Sequence, residues 1–201
     1  MSKTLSIPVL FSNLFIVLCM LAGLCSCNFQ RHYVQDDYPF YQHGFLLPKA
    51  APLKTNGVYV LDRIVTSETD SGGKQPKERL SYKFYPGGQV NLIVDLDNSL
   101  KRPEDYQDAF NEAIIRNDAA KSATLFEGYY RLSGNRLVIQ RMSNPRKQFE
   151  YTYALVIENE LIVVKSTIDG SGKIADKYFT KYYKAYYRFL PTDTNYVVPN
   201  W

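Results

Sequence analysis

The chain has 201 residues, of which 45% are hydrophobic and 14% aromatic, and it contains 17 Tyr. This composition excludes intrinsic disorder, and the many Tyr residues favour strands over helices. The net charge of +4 is mild, and Lys and Arg form no block along the sequence, which argues against nucleic-acid binding. All three cysteines lie within the first 27 residues, so the rest of the chain can form neither a disulfide nor a Cys-based metal site.

An export signal is predicted at the N-terminus. Lys3 supplies a positive charge, and residues 5–24 are mostly apolar. The strongest apolar run, Leu14 to Leu24, is too short for a transmembrane helix, which needs about 20 predominantly apolar residues. Residues 1–26 are therefore interpreted as a signal peptide. Their removal leaves about 175 residues, a length that suits one domain with its own core.

The residues Leu24-Cys25-Ser26-Cys27 resemble the lipobox of bacterial lipoproteins. The resemblance implies that Cys27 receives a diacylglycerol and becomes the lipid-anchored N-terminus, because the small Ser26 directly precedes it. Cys25 is the competing candidate, but the bulky Leu24 stands before it. Acyl chains contribute about 0.8 kcal/mol for each buried CH₂, so two or three of them would form a stable anchor. The resemblance implies a place in the bacterial envelope, at the outer membrane facing the periplasm.

Residues 27–56 are predicted to form a tether between the anchor and the domain. Pro39, Pro48 and Pro52 break any regular element in this segment. Two alternatives remain open: part of the segment packs on the domain, or it is a loose tether with exposed rings. The aromatic residues that bear on this choice are Tyr33, Tyr38, Phe40, Tyr41 and Phe45.

From residue 57 the apolar residues recur with a period of two, which is typical of β-strands. Turns such as Pro86-Gly87-Gly88 and Ser133-Gly134-Asn135 join successive strands as hairpins. The sheet is therefore expected to be antiparallel, and eight strands in this order can close into an up-and-down barrel. A short tail, residues 191–201, follows the barrel. The predicted strands cover residues 57–66, 79–85, 89–96, 125–132, 136–142, 149–157, 160–166 and 181–190.

One short amphipathic helix is predicted between the third and fourth strands, at residues 103–119. Pro103 and the two acidic residues after it suit a helix N-terminus. We expect the helix to pack on the sheet as a lid over one barrel mouth, and the alternative is a helix that binds a partner. Its apolar stripe consists of Tyr106, Phe110, Ala113 and Ile114.

The alternation assigns the strand residues to two faces. The face expected to form the barrel interior carries Tyr59, Leu61, Tyr82, Phe84, Val90, Leu92, Val94, Gly128, Tyr130, Leu132, Leu137, Ile139, Tyr151, Tyr153, Leu155, Leu161, Val163, Tyr183, Ala185, Tyr187 and Phe189. The face expected to meet solvent carries Lys83, Asn91, Asp95, Glu127, Arg131, Gln140, Glu150, Thr152, Lys184 and Arg188.

Motifs for catalysis or metal binding are weak in this sequence. His32 and His43 both precede residue 57, so the predicted barrel contains no His base or His ligand. The acidic stretch from Asp95 begins like a calcium loop, but Leu100 stands where that loop needs Gly. Residues 170–173 resemble part of a phosphate loop but lack its earlier Gly and its final Ser or Thr. The sequence therefore predicts no enzyme, no cofactor and no metal site.

The hairpin pattern over residues 57–190 resembles the lipocalin-like domains of bacterial lipoproteins. Gly57-Val58-Tyr59 opens the first strand where lipocalins carry Gly-x-Trp, and the segments FYPGGQV, FEGYYRLSGNRLVI and YALVIENELIVV are similar to lipocalin hairpins. Tyr59 replaces the Trp, and the predicted helix is an insertion. In lipocalins a basic residue near the end of the barrel packs across that Trp. Arg188 would take this role against Tyr59, although the alternation places it outward.

The resemblance implies a binding module that holds one small apolar or aromatic ligand inside the barrel. The alternative is a structural or protein-interaction lipoprotein with a solid barrel, because the interior contains many rings. The rings expected to line a ligand site, several of which bring hydroxyls that could orient the ligand, are those of Tyr82, Phe84, Tyr130, Tyr151, Tyr153, Tyr183 and Tyr187.

Overall fold

The computed structural model contains eight strands and one α-helix within its described residues, in the order that the sequence predicts. It describes residues 34–66, 72–120, 126–143, 148–168, 170–180, 182–192 and 195–201. The predicted signal peptide, Cys25, Cys27 and His32 lie outside them. The elements are β1 (Gly57–Val65), β2 (Arg79–Phe84), β3 (Gln89–Asp95), α1 (Pro103–Ala120), β4 (Glu127–Ser133), β5 (Arg136–Ser143), β6 (Gln148–Ile157), β7 (Glu160–Thr167) and β8 (Lys184–Pro191).

The strands form a closed antiparallel up-and-down barrel in the order β1 to β8, as predicted. Each strand pairs with its neighbour in sequence, and β1 pairs with β8 from Gly57↔Pro191 to Val65↔Lys184. Closure provides every strand with two partners and leaves no long open edge on which another chain could add a strand. The two ends of the barrel differ in how they are filled. We call the end where β1 starts the closed end and the opposite one the mouth.

Two β-bulges change which residues point inward. In β1, Leu61 pairs with Tyr187 and Arg63 pairs with Tyr186, so Asp62 is an extra residue. Beyond this bulge Arg63 points outward, and its guanidinium lies 4.0 Å from the ring centroid of Tyr186. In β7 the extra residue is Val164, and beyond it Ser166 pairs with Thr152. The bulge in β7 therefore brings a hydroxyl to the inner face near the mouth.

The closed end is filled by aromatic rings. The ring centroids of Tyr59 and Phe189 lie 5.1 Å apart, and those of Phe84 and Tyr130 lie 5.3 Å apart. Residues of the predicted tether seal this end, since Phe45, Leu47 and Leu53 pack against the same core cluster. The Tyr59 hydroxyl accepts a hydrogen bond of 2.9 Å from the backbone N–H of Lys54.

The outer face of the barrel is also covered, over much of its area, by the N-terminal and C-terminal segments. Tyr38 and Phe40 are 2% and 5% exposed, and the Phe40 ring lies 5.7 Å from the Tyr151 ring. Trp201 is buried, and its carbonyl oxygen accepts a hydrogen bond from the Tyr129 hydroxyl. Of the two alternatives for the tether, the described part from residue 34 onward therefore packs on the domain.

This outer layer corrects the expectation that the polar outer face meets solvent. Five side chains assigned to solvent do lie on the outer face, but they are at most 5% exposed because the terminal segments and α1 cover them. These residues are Lys83, Asn91, Asp95, Glu127 and Gln140. A sequence pattern reports which strand residues share a face, and it does not report what packs on that face.

The inward residues of β6 also differ from the prediction. Tyr151, Tyr153 and Leu155 were expected inside, but they belong to the cluster on the outer face. The strand pairing shows which residues of β6 point inward. Thr152 pairs with the inward Ile139, and directly paired residues point to the same side of the sheet. Thr152, expected in solvent, therefore lies inside, followed by Ala154 and Val156 in the interior core. The prediction failed here because both faces of β6 are covered, so both carry apolar residues.

The helix α1 packs against the outer face of the barrel and does not cover the mouth. Tyr106 and Phe110 form a buried cluster with Val58. Asn111 fixes the C-terminal segment to the helix: its Nδ2 donates to the carbonyl oxygen of Asn195 at 3.1 Å, and its Oδ1 accepts from the N–H of Val197 at 2.8 Å. Packing on the sheet, with an end at Ala120 close to the predicted residue 119, is confirmed. The prediction that the helix lies over the barrel mouth is wrong, because its apolar residues pack against the outer wall of the barrel.

Candidate ligand-binding site

A cavity of about 600 Å³ opens at the mouth of the barrel. Its walls come from the middle of β2, the end of β5, the middle of β6, the second half of β7 and the residues around the start of β8. Apolar surface is supplied by Val163 and by tyrosine rings, while polar groups come from the adjoining strands. The lining residues are Tyr82, Arg141, Thr152, Val163, Val164, Lys165, Ser166, Tyr182, Tyr183 and Tyr187. We call this space the mouth cavity.

A hydrogen-bonded network crosses one side of the mouth. The hydroxyls of Thr152 and Ser166 lie 2.9 Å apart, and Ser166 donates to Glu150 Oε1 at 2.5 Å. The same Glu150 oxygen lies 3.4 Å from Arg141 Nη2. Arg141 is only 12% exposed in its side chain, and its Nε is buried without a hydrogen-bond partner among the described residues. The network therefore retains one donor that a ligand or a water can satisfy.

The position of Arg141 depends on a glycine in the neighbouring strand. Gly128 of β4 pairs with Arg141 of β5. A Cβ at Gly128 would lie 2.9 Å from Arg141 Cγ and 2.0 Å from the carbonyl oxygen of Gln140, closer than atoms can approach. Because Gly has no side chain, the stem of Arg141 can lie across the inner face here.

Burial keeps three tyrosines of the mouth cavity neutral at physiological pH. Burial raises the pKa of Tyr82, and the charge of Arg141 and a hydrogen bond from Thr152 oppose this effect. Burial also raises the pKa of Tyr187 well above its ordinary value of 10.0, and that of Tyr183 is raised for the same reason. Their hydroxyls are therefore hydrogen-bond donors as well as acceptors. The charged side chains that line the cavity are Arg141 and Lys165, and Glu150 pairs with Arg141 beside it.

The structure separates the seven predicted site residues into three groups. Tyr82, Tyr183 and Tyr187 line the mouth cavity. Phe84 and Tyr130 lie inside the barrel but belong to the packed core toward the closed end. Tyr151 and Tyr153 lie on the outer face, where the Tyr153 ring stacks on Tyr178 at 4.5 Å.

The sequence prediction missed the polar side of this site. Arg141 has the same parity as the inward Leu137 and Ile139, so alternation along β5 was a usable signal for it. Thr152 was missed because the sequence pattern assigned the inward residues of β6 to the outer face. Ser166 could not have been found, because no feature of the sequence marks the bulge at Val164 that turns it inward.

A metal site, a histidine-based site and a membrane-spanning helix would each require particular residues in the described part of the chain. No group of three or more His, Cys, Asp or Glu side chains suited to a metal ion occurs there. His43, in the segment before β1, lies 3.4 Å from the Tyr41 hydroxyl at an exposed position. Within the same residues, no helix is long and apolar enough to cross a membrane. Arg188, considered as a partner of Tyr59, points outward and pairs in register with Val60.

Comparisons with known proteins identify no relative: no family model, curated protein or solved structure matches this chain. Its function therefore has to be inferred from its own residues.

Proposed function

We propose that this chain is a lipoprotein of the bacterial envelope whose lipocalin-like barrel binds a small aromatic or apolar ligand in the mouth cavity. The lipobox-like Leu24-Cys25-Ser26-Cys27 supports export and anchoring through lipid on Cys27. The outer membrane, facing the periplasm, is the proposed location. Binding is proposed without catalysis, since both histidines precede residue 57 in the sequence.

The observation that carries this proposal is the mouth cavity itself. Its volume of about 600 Å³ falls within the roughly 300–1,000 Å³ that is usual for small-molecule sites. Its surface combines the aromatic rings of Tyr82, Tyr183 and Tyr187 with the side chain of Arg141, which pairs with Glu150 beside the cavity. An apolar wall with a few buried polar groups on one side favours a ligand whose ring or chain lies against the tyrosines and whose polar group reaches Arg141.

The filled closed end favours the alternative of a structural or protein-interaction lipoprotein. Below the mouth cavity the interior is occupied by the protein's own rings, as in Phe84, which is 0% exposed. A ligand can therefore enter only the half of the barrel next to the mouth. Saturable ligand binding at the mouth distinguishes the two functions.

Tyr183→Ala is expected to weaken the binding of an environment-sensitive aromatic dye by about tenfold, because it removes one ring from the wall of the mouth cavity. Tyr183 is 42% exposed, so its truncation should leave the melting temperature nearly unchanged. Fluorescence titration of the purified protein measures the dissociation constant, and a panel of fatty acids, haem and aromatic dyes tests the ligand class.

Tyr186→Ala is the matched control for this measurement. Tyr186 lies on the same strand as Tyr187, but its ring is outside the barrel beneath Arg63. Dye affinity should stay unchanged in this variant. Equal losses of affinity in Tyr183→Ala and Tyr186→Ala would place the dye outside the mouth cavity. Absence of saturable binding across the whole panel would leave the interaction lipoprotein as the function.

Cys27→Ala is expected to abolish the incorporation of labelled palmitate and to move the protein out of the membrane fraction, since two or three acyl chains provide the anchor. Fractionation of cells that express the full chain, followed by labelling, measures both effects. Cys25→Ala is the control and should keep the label. Palmitate that persists in Cys27→Ala and is lost in Cys25→Ala would contradict the assignment.

A further inference from the structure

A second cavity, of about 380 Å³, lies on the outer side of the barrel. It is bounded by β1 and β8, by the segment before β2 and by the loop that leads into α1. Val60 and Leu190 contribute an apolar floor, and most of the other lining residues are polar. We call this space the outer cleft. It shares no lining residue with the mouth cavity.

The walls of the outer cleft are held by hydrogen bonds, so the cleft is formed before any ligand arrives. The segment before β2 is fixed to β1 by two backbone hydrogen bonds between Ile64 and Lys74, of 3.0 and 2.8 Å. The loop before α1 is fixed by the carboxylate of Asp95, which accepts from the N–H groups of Ser99 at 2.9 Å and Leu100 at 3.1 Å. Burial opposes ionisation of Asp95, but these hydrogen bonds outweigh it, and the pKa of Asp95 is lowered.

Three cationic side chains line the outer cleft, and each comes from a different element. Arg79 starts β2, Lys101 lies in the loop before α1, and Arg188 lies on β8. Tyr106 stands beside Arg79: burial raises the pKa of the Tyr106 hydroxyl and the Arg79 guanidinium opposes this effect, while the same hydroxyl donates to the carbonyl oxygen of Leu100 at 3.1 Å. The three cations therefore face one small space.

The acidic side chains around the outer cleft are each engaged by other groups. Asp95 stands opposite Arg79 in the β2–β3 register, but its carboxylate accepts the backbone N–H groups of the loop before α1. Asp62 lines the cleft, but its carboxylate pairs with Arg63 at 3.0 Å. Glu160 stands opposite Arg188 in the β7–β8 register, but its carboxylate pairs with Arg63, at 3.4 Å. Among the residues that the structure describes, none forms an ion pair with the three cations of the cleft.

We propose that the outer cleft is a binding site for a phosphate-type oxyanion, held by Arg79, Lys101 and Arg188. Guanidinium groups match the geometry of phosphate oxygens and bind them through paired hydrogen bonds, and Lys adds a compact point charge. A bound oxyanion would give the three cations, which have no ion-pair partner among the described residues, a shared partner on a preformed surface. The ligand is either a soluble phosphorylated molecule or the phosphate of an anionic phospholipid headgroup. This site is independent of ligand binding in the mouth cavity.

The test uses the full chain in micelles of a neutral detergent and two sources of phosphate. Calorimetric titration with inorganic phosphate and with glucose 6-phosphate tests soluble ligands. Micelles that contain phosphatidylglycerol, compared with micelles that contain phosphatidylcholine, test the headgroup through the melting temperature. We expect saturable binding in one of these two arms. Arg188→Gln and Lys101→Gln should each weaken it by about tenfold, as expected for the loss of a hydrogen bond between charged groups.

Lys184→Gln is the matched control, because Lys184 is an exposed cation on the outer face of β8 that does not line the cleft. It makes the same change in net charge as Arg188→Gln and should alter binding by less than about twofold. The arm in which the response depends on Arg188 and Lys101 identifies the source of the phosphate. Equal losses in Lys184→Gln and Arg188→Gln would mean a general charge effect and overturn the proposal, as would absence of binding in both arms.

Discussion

Phe84→Ala is expected to lower the free energy of unfolding by about 3–5 kcal/mol, the usual loss for a fully buried ring. Phe84 is 0% exposed and lies at the centre of the rings that fill the closed end. Its ring centroid is 5.7 Å from that of Tyr59 and 5.3 Å from that of Tyr130. Since these neighbours are themselves held in place by the strand pairing of β1 and β4, the structure can collapse only partly into the space that the ring leaves.

Urea denaturation followed by tryptophan and tyrosine fluorescence measures this loss. Phe126→Ala makes the same truncation at a residue that is 36% exposed, and it should lower the free energy of unfolding by about 1 kcal/mol or less. Dye binding should survive in Phe84→Ala, because Phe84 does not line the mouth cavity. Loss of dye binding in Phe84→Ala together with normal binding in Tyr183→Ala would place the ligand at the closed end.

The barrel could be predicted from the sequence because its signals are local. A period of two over short segments predicts strands, and turn residues fix where each hairpin reverses. Gly134, for example, has a φ of +58° in the turn between β4 and β5, a conformation that Gly adopts without strain. Hairpins joined in this way determine the strand order, and closure of β1 on β8 follows from that order.

The faces of β6 could not be predicted, because they depend on contacts that are distant in the sequence. The outward Tyr151 is covered by Phe40, whose N–H donates to Gln140 Oε1 at 2.9 Å. Such a cover makes an outer face as apolar as an inner one, and alternation then no longer separates them. The bulge at Val164 is a second limit on prediction, since it reverses the inward and outward alternation after it and thereby turns Ser166 inward.

The same outer layer buries an amine on β2. Lys83 is 2% exposed, and its Nζ donates to the carbonyl oxygen of Thr55 and, at 3.4 Å, to that of Gly57. The Tyr196 ring of the C-terminal segment lies over it, with its centroid 3.8 Å from Nζ. Burial lowers the pKa of Lys83 from 10.5 to about 7. The nearest acidic side chain in register is Glu127, which lies across β3 from Lys83.

This depressed pKa makes stability depend on pH in a defined direction. Between the folded pKa of about 7 and the unfolded value of 10.5, the unfolded chain binds one more proton at Lys83 than the folded chain. The free energy of unfolding therefore rises with pH across this window, by about 3 kcal/mol between pH 7 and pH 9.5 from this residue. The window ends near the ordinary tyrosine pKa of 10.0, because burial raises the pKa of Tyr59 to about 12 and favours the unfolded chain above that point.

Lys83→Met is expected to remove most of this rise in stability, since Met fills a similar volume and carries no proton. Urea denaturation at a series of pH values from about 7 to 9.5 gives the slope for each variant. The slope is more informative than the absolute stability, because Met leaves the carbonyl oxygen of Thr55 without its donor. Lys184→Met removes an exposed amine and should keep the wild-type slope. Identical slopes in wild type and Lys83→Met would mean that the ammonium keeps enough water or hydrogen bonds beneath the C-terminal segment to titrate as it does in the unfolded chain.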